Sequence, residues 1–322
     1  MTPRDRDPSR PLHVALLGTS HVHFRDYHDL LAREPRVSAV VLPAAPDTGD
    51  RPAFGAASVR EALRCADAAV ITSTTAQHAQ LLPHTVRAGV PTLVEKPLAA
   101  TAGQTARLLP LLAAGGPTTT AMFLRCAPGL RRVRALLRQD VVGPLTAVRL
   151  CFAHAGLTDG VFTGEAAWML DPGHGAAGAL SDLGIHLIDL LLWLAPRRPI
   201  GVVNAELRHR PGLVLEPAGT AVLRWGSVPV TLHASWIGPR TGFSAHFAAR
   251  YGTIRVAGGS VTLRTGRTAT TWRHDPPRAG AALTAFLRRL GGRPAWRPPG
   301  HDDIRRTAAL LEEIGSVARR RR

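Results

Sequence analysis

Short apolar runs alternate with segments of helical spacing over about the first 124 residues of the chain. Runs such as HVALLG at 13–18 have the length of buried strands. The segment 21–33 carries apolar residues at Tyr27, Leu30 and Leu31, which is helical spacing. The same reading predicts further strands at 37–42, 68–71, 91–94 and 118–124, and helices at 77–88 and 103–114. This alternation indicates a doubly wound parallel sheet, which binds ligands at the carboxyl ends of its strands.

After residue 125 the pattern changes. A helix is predicted at 129–139 and a strand at 145–152, and a last helix at 302–317. Between 202 and 263 the runs AVLRW, VTLHASW and TIRVAG alternate apolar and polar positions and are separated by Gly and Pro turns. Such alternation is typical of an open, mostly antiparallel sheet with one solvated face. The chain is therefore predicted to be an α/β protein with a flexible tail at 1–11 and two domains, at 12–124 and 125–322.

Composition narrows the class of protein. With 322 residues and 45% hydrophobic content, the chain can bury two cores. No apolar run reaches the roughly 20 residues of a membrane helix, and the charged, proline-containing first dozen residues do not resemble a secretory signal. The three cysteines have no CxxC spacing, which argues against a disulfide framework. We expect a cytoplasmic protein that does not bind a membrane.

The formal charge of +17 raises the question of a nucleic-acid partner. The arginines are scattered through every segment, and no aromatic-interleaved basic motif accompanies them. We therefore expect a solvated basic surface and no nucleic-acid partner.

One basic residue differs from all the others. Of the 40 basic residues, 39 are arginine and only Lys96 is lysine. An ammonium is a compact donor on a flexible stem, whereas a guanidinium is a wide planar fork that keeps its proton. The chain uses arginine at every other basic position, so the lysine at position 96 indicates a chemical requirement for an ammonium group there. The alternative is that this one lysine has been retained by chance.

The first predicted turn contains part of a dinucleotide-binding fingerprint. A complete fingerprint would have glycines at positions 18, 20 and 23, and the sequence has Gly18, Ser20 and His23. The strand at 37–42 also lacks a following acid for a ribose hydroxyl, the nearest being Asp47, so NAD, NADP and a weakly held cofactor all stay open. His21 and His23 have no carboxylate or thiolate partner nearby in sequence, and we expect no metal site.

The segment GALSDLGIHLIDLLLWL at 178–194 carries a polar stripe on an apolar helix. Asp182, His186 and Asp189 stand at i, i+4 and i+7, which places them on one face. One interpretation is that the three side chains satisfy one another in a structural network. The functional interpretation is that His186 exchanges a hydroxyl proton, Asp182 holds the substrate or orients the imidazole, and Asp189 supports them from behind.

Four segments resemble the Gfo/Idh/MocA oxidoreductase family in the same order along the chain. They are the turn at Gly18, TTAQHAQL with His78, VEKPLA at 94–99 and GALSDLGIHLIDLLLWL. The resemblance continues through FLRCAPGLRRVRALL and the text at 250–256. It implies an N-terminal dinucleotide-binding Rossmann domain and a C-terminal substrate and oligomerisation domain whose open sheet forms a subunit interface, giving a dimer or tetramer.

The resemblance also implies a function and a set of site residues. The expected reaction interconverts a secondary alcohol and a ketone on a sugar, cyclitol or similar polyol, with NAD or NADP as cofactor. The implied catalytic group is Lys96, Asp182 and His186. The cofactor contacts are expected from Gly18, Thr19, Ser20, His21, Ser73, Thr74, His78, Glu95 and Lys96, and the substrate contacts from Trp168, Asp171 and His174.

Two other functions stay open at this point. One is a non-catalytic member that binds a nucleotide or sugar, which the missing glycines favour. The other is a lyase or hydrolase that uses NAD transiently. The substrate and the direction of reaction are not fixed by the sequence.

Overall fold

The computed structural model describes residues 11–42, 56–238, 242–293 and 297–320. The predicted tail up to residue 10 and the acid Asp47 lie outside the described residues. The chain divides into two compact units. The first comprises Met1–Ala121, Phe162–Ala176 and Ala282–Arg305, and the second Met122–Val161, Ala177–Ala281 and Arg306–Arg322. The predicted domain boundaries stay predictions.

A parallel sheet forms the centre of the first unit. Its strands are β1 (Leu12–Leu17), β2 (Val37–Leu42), β3 (Ala68–Ile71), β4 (Thr92–Val94) and β5 (Thr118–Thr120). They lie in the order β2-β1-β3-β4-β5, all parallel. The connecting helices are α1 (Phe24–Arg33), α2 (Ala56–Arg64), α3 (His78–Ala88) and α4 (Ala102–Ala114). This is the predicted doubly wound sheet.

The core of the first unit comes from the apolar runs of the strands and one face of each helix. Leu17, Ile71 and Val94 lie on neighbouring strands, and all three are fully buried. Leu81 of α3 and Leu108 of α4 pack in the same cluster. The strands are continuously apolar because both faces of a parallel sheet are covered by helices.

The second unit contains the other sheet. Its strands are β6 (Leu145–Ala153), β7 (Ile200–Arg208), β8 (Ala218–Trp225), β9 (Val228–Ser235), β10 (Gly242–Ala249), β11 (Gly252–Ala257), β12 (Ser260–Thr265) and β13 (Thr268–Arg273). The order is β13-β12-β11-β10-β6-β9-β8-β7, and every pair is antiparallel except β6 with β9. The predicted fold class, a parallel sheet followed by an open, mostly antiparallel one, is confirmed.

Helices α5 (Pro128–Arg138) and α6 (Ile185–Leu194) pack in the second unit. Every residue of α6 is buried, which accounts for its almost uninterrupted apolar sequence. A π-helical turn at Leu180–Gly184 leads directly into α6. The remaining helices are α7 (Gly280–Leu290) and α8 (His301–Arg319). No described helix is both long and apolar enough to span a membrane.

Some element predictions were wrong in detail. The strand predicted at 118–124 ends at Thr120, and a 3-10 turn covers Phe123–Cys126. The apolar run continues through the turn because Phe123 and Leu124 are buried there. Helices α2 and α7 and strand β13 were not predicted. A Thr-rich strand with an exposed face, such as β13, has a weak apolar signal.

Candidate active site

Gly18 begins the turn after β1 in a conformation that only glycine accepts easily. Its φ is +94°, and a Cβ atom there would lie 2.7 Å from backbone and side-chain atoms of Ser73. The hydroxyl of Thr72 donates to the Gly18 carbonyl at 2.7 Å, and the His21 amide donates to the Thr72 carbonyl at 3.0 Å. The one retained fingerprint glycine is therefore the one that the close approach of β1 and β3 requires.

The turn offers amide donors at the start of α1. In the part of the chain that the structure describes, the amides of Thr19 and Ser20 donate to no protein acceptor. Amides before a helix N-terminus are suited to a pyrophosphate. The residues present thus fit a dinucleotide, although Ser20 and His23 replace two glycines.

A buried carboxylate, Glu95, organises the edge beside this turn. Its Oε1 atom accepts a hydrogen bond of 2.5 Å from the Tyr27 hydroxyl, and its Oε2 atom accepts one of 3.0 Å from the Lys96 amide. The Nε2 atom of His21 lies 3.7 Å from the same Oε2 atom. All four residues are buried. Tyr27 was predicted only as a position on the buried face of a helix, and no sequence signal linked it to a glutamate 68 residues away.

Lys96 is the second residue after β4 and is only 4% exposed. The bond from Lys96 to Pro97 is cis. A lysine is rarely buried to this extent unless its ammonium has a partner or a task. The chain therefore places its single lysine at the carboxyl end of an interior strand, where a doubly wound sheet binds its ligands.

His78 begins α3 and is 1% exposed. Its Nδ1 atom lies 3.2 Å from the Leu98 carbonyl oxygen. Burial lowers the pKa of His78 to about 4, against the opposing effect of nearby carbonyl groups and Glu95. The ring is therefore neutral at pH 7, which excludes it as a fixed positive charge for a phosphate.

The three predicted substrate residues lie in a segment of the first unit. The indole N–H of Trp168 donates to the Ser20 carbonyl at 2.7 Å, so this side chain lies against the turn after β1. Asp171 binds the Gly173 amide at 2.8 Å and lies 2.9 Å from the His174 ring, which together lower its pKa. Asp171 and His174 thus hold a local turn, and their substrate contacts stay predictions.

In the second unit, Asp182 and His186 have different surroundings. Asp182 lies in the π-helical turn, and its Oδ2 atom accepts a 2.9 Å hydrogen bond from the Trp236 indole. The His186 ring is buried between aromatic side chains, with centroid distances of 4.6 Å to Phe123 and 5.9 Å to Phe152. Turns of π-helix occur often at functional sites.

Asp189 belongs to a separate ion pair. The Arg125 guanidinium binds both carboxylate oxygens, with distances of 2.7 Å and 2.5 Å, and both residues are 1% exposed. This two-pronged geometry is the strongest form of the arginine–carboxylate pair. Asp189 is therefore held in a structural pair, but its partner is Arg125 and not one of the two residues that the structural interpretation named. Its supporting role behind Asp182 and His186 stays a prediction. Arg125, Trp236 and the two phenylalanines were not predicted, since their contacts cross long stretches of sequence.

No group of three or more His, Cys, Asp or Glu side chains among the described residues is arranged to hold a metal ion. His21 and His23 lie 5.2 Å apart by ring centroid, and each faces a different carboxylate.

Comparisons with known proteins give the class of protein. Residues 12–121 match a family model described as an oxidoreductase family with an NAD-binding Rossmann fold. Residues 130–262 match the GFO/IDH/MocA C-terminal domain. The fold and both matches define a nucleotide-binding oxidoreductase with two different sheets.

The chain belongs to the Gfo/Idh/MocA oxidoreductase family, as its motifs predicted. A curated relative, the myo-inositol dehydrogenase Hyg17 of Streptomyces leeuwenhoekii, is 30% identical over 198 residues, which are 59% of this chain and 58% of the relative. The chain thus aligns with somewhat over half the length of that relative.

Solved structures share the fold over nearly the whole length. An inositol dehydrogenase homologue from Azotobacter vinelandii, complexed with NAD+, has a TM-score of 0.80 at 16% identity, covering 99% of this chain and 98% of that one. The 3-ketoreductase KijD10 from Actinomadura kijaniata, in complex with TDP-benzene and NADP, has a TM-score of 0.72 at 21% identity, covering 96% and 98%. The prediction of a nicotinamide cofactor is confirmed at the level of the family, and both NAD and NADP occur among the neighbours.

Proposed function

We propose that this protein interconverts a secondary alcohol and a ketone on a sugar, cyclitol or similar polyol, with NAD or NADP as cofactor. The observation that carries the proposal is Lys96, the chain's single lysine, buried at the carboxyl end of β4 beside the Tyr27–Glu95 pair. The name of the curated relative supports the substrate class, since a cyclitol is a ring of secondary alcohols.

Each catalytic residue has a role that its chemistry supports. The Lys96 ammonium donates a hydrogen bond to the reacting oxygen and stabilises negative charge as it develops there. The His186 imidazole accepts the hydroxyl proton in oxidation and returns it in reduction. Asp182, fixed by the Trp236 indole, binds a substrate hydroxyl or orients the imidazole. A bound nicotinamide would accept the hydride in oxidation and donate it in reduction.

The first unit holds the cofactor in this proposal. The amides of Thr19 and Ser20 bind the pyrophosphate, and Gly18 allows the turn its close approach to Ser73. Ser73 and Thr74 follow β3 at the same edge of the sheet, as Glu95 and Lys96 follow β4. The neutral His78 lines the site beside them and adds no positive charge there.

The first experiment measures binding and turnover with unmodified protein. NADH and NADPH are titrated while energy transfer from tryptophan to the reduced cofactor is followed. Myo-inositol and a panel of sugars and polyols are then assayed with NAD+ and NADP+ by absorbance of the reduced cofactor. Absence of binding to both cofactors would leave the non-catalytic alternative, and cofactor retained through purification would favour the lyase or hydrolase.

Replacement of Lys96 by Met should lower turnover by about two to four orders of magnitude, because the reacting oxygen loses its cationic donor. Lys96→Arg keeps the charge but not the compact donor and should also be impaired. Arg107→Met, which removes an exposed positive charge on α4, is the matched control and should turn over normally. Near-normal turnover in Lys96→Met contradicts the proposed role.

A further inference from the structure

The residue Glu216 lies directly against the start of the helical segment that carries Asp182 and His186. The segment begins at Gly178 and Ala179, before the π-helical turn. The Ala179 amide donates to the Glu216 carbonyl oxygen at 2.9 Å. Glu216 is only 9% exposed, and Pro217 is the one residue between it and strand β8.

The side chain of Glu216 occupies the space that a side chain at position 178 would fill. A Cβ atom on Gly178 would lie 2.1–2.2 Å from the carboxyl atoms of Glu216, and Gly178 has a φ of +77°. Any larger residue at 178 would displace the carboxyl group and would be strained in its backbone as well. The carboxyl group and the glycine therefore fit each other.

The Glu216 carboxyl group also accepts hydrogen bonds from the main chain. Its donors are the backbone amides of Leu180 and of Glu216 itself, both of which favour the charged form. Burial has the larger effect and raises the pKa of Glu216 to about 7. Leu180 is the first residue of the π-helical turn, so the contact lies where that turn begins. An acceptor at a helix start satisfies amides that have no partner within the helix.

The next residue along the chain holds the other support of Asp182. The Pro217 carbonyl accepts a 2.8 Å hydrogen bond from the Trp236 amide, and the Trp236 indole donates to Asp182 at 2.9 Å. Glu216 thus binds the first turn of the helical segment, and the next residue, Pro217, binds Trp236, whose indole holds Asp182. All of these contacts lie within the second unit.

We propose that Glu216 is a positioning residue for Asp182 and His186. Its carbonyl and carboxyl groups anchor the first helical turn, and this anchor sets where the π-helical turn presents Asp182 to Trp236. The proposal rests on the proposed function only in assigning catalytic roles to Asp182 and His186; the anchoring itself is a separate claim about the fold of this segment.

The test compares Glu216→Ala and Glu216→Gln with the unmodified protein. The first readout is the ¹H–¹⁵N resonance of the Trp236 indole, assigned with Trp236→Phe. The second is turnover of the best polyol from the panel, with kcat and KM determined separately. Glu206→Gln, an exposed glutamate on β7 of the same sheet, is the matched control.

Glu216→Ala should shift the Trp236 indole resonance and lower kcat about ten- to a hundredfold, with cofactor affinity unchanged, because small displacements of a catalytic group cost turnover. Glu216→Gln keeps an oxygen acceptor at the same place and should lose less. Glu206→Gln should match the unmodified protein in both readouts. A merely stabilising role would reduce the amount of folded protein without moving the indole resonance of the folded fraction.

The two proposals fail in distinguishable ways. If the unmodified protein oxidises or reduces no member of the panel, the proposed function fails, while the indole resonance still decides the anchoring. If both Glu216 variants keep the resonance and kcat of the unmodified protein, the positioning role is overturned. Should Glu216→Ala not fold, as judged by circular dichroism, the nearly isosteric Glu216→Gln decides by the same readouts.

Discussion

At the scale of single residues, the buried carboxylate of Glu95 in the first unit is paired with hydrogen-bond donors. Glu95 is 1% exposed, and its carboxylate accepts from the Tyr27 hydroxyl and the Lys96 amide. Buried carboxylates are costly unless such donors are present. The sequence indicates that Glu95 and Lys96 matter, through the VEKP motif, but not that a tyrosine of α1 supports them.

Tyr27→Phe tests this support. The variant removes one donor to a buried carboxylate, and the free energy of unfolding should fall by about 1–3 kcal/mol. Urea unfolding followed by circular dichroism measures the change. The chain has only one other tyrosine, Tyr251, which is 61% exposed. Tyr251→Phe is therefore the control and should change stability by less than about 0.5 kcal/mol. Equal stabilities for the two variants would exclude a structural role for the Tyr27 hydroxyl.

His78 gives the first unit a defined sensitivity to acid. Its folded-state pKa of about 4 lies below the ordinary value of 6.5, so the unfolded chain binds the proton first as the pH falls. Stability linked to His78 is fully present above pH 6.5 and is lost progressively down to about pH 4. Between pH 7.5 and pH 5 this linkage should remove about 2 kcal/mol.

The measurement compares urea unfolding of the unmodified protein and His78→Gln at pH 7.5 and pH 5. The variant cannot take up this proton, so its loss of stability on acidification should be smaller by about that amount. His28→Gln, at an exposed histidine of α1, should behave like the unmodified protein. The same acid sensitivity in His78→Gln would show that the ring is not held neutral.

At the scale of secondary-structure elements, strong periodicity predicted most helices and strands, and the errors occur where tertiary contacts replace local pattern. The run at 118–124 is apolar because Phe123 is buried in a 3-10 turn beside His186, not because it extends β5. The stripe of Asp182, His186 and Asp189 was recognised, but a single sequence cannot show that Asp189 pairs with Arg125 and Asp182 with Trp236. These partners are 64 and 54 residues away in the chain.

The Arg125–Asp189 pair joins the turn at Phe123–Cys126 to helix α6. Arg125→Met should lower the free energy of unfolding by about 3–5 kcal/mol, because it leaves a buried carboxylate without its counter-charge. The double variant Arg125→Met, Asp189→Leu should recover much of the loss, since neither charge is then buried. Arg305→Met removes an exposed arginine paired with Asp302 and should change stability by at most about 0.5 kcal/mol. A double variant less stable than Arg125→Met alone would contradict this account.

At the scale of the whole molecule, the sequence predicted the two kinds of sheet and the family, because alternating strand and helix patterns and four ordered motifs extend over most of the chain. It did not predict that 162–176 packs within the first unit, since a loop carries no periodicity. Two contacts hold this segment there: the Trp168 indole donates to the Ser20 carbonyl, and Gly175 lies so close that a Cβ atom on it would be 2.9 Å from the Ala76 amide nitrogen.

These contacts join the loop to the segments after β1 and after β3, which form the proposed nucleotide site, so cofactor binding should protect the loop as well as the turn. A ligand at a hundred times its Kd stabilises the state that binds it by about 2.7 kcal/mol, and this appears as slower amide exchange in the segments that the ligand orders. We expect NADH or NADPH, whichever binds, to slow hydrogen exchange in peptides covering 18–23, 72–78 and 162–176. Strands β12 and β13, at one edge of the sheet of the second unit, serve as the internal reference and should change least. Trp168→Phe should weaken protection of the loop more than that of 72–78, because it removes only the bond to Ser20. Protection of the turn with unchanged exchange in 162–176 would mean that the loop does not take part in cofactor binding.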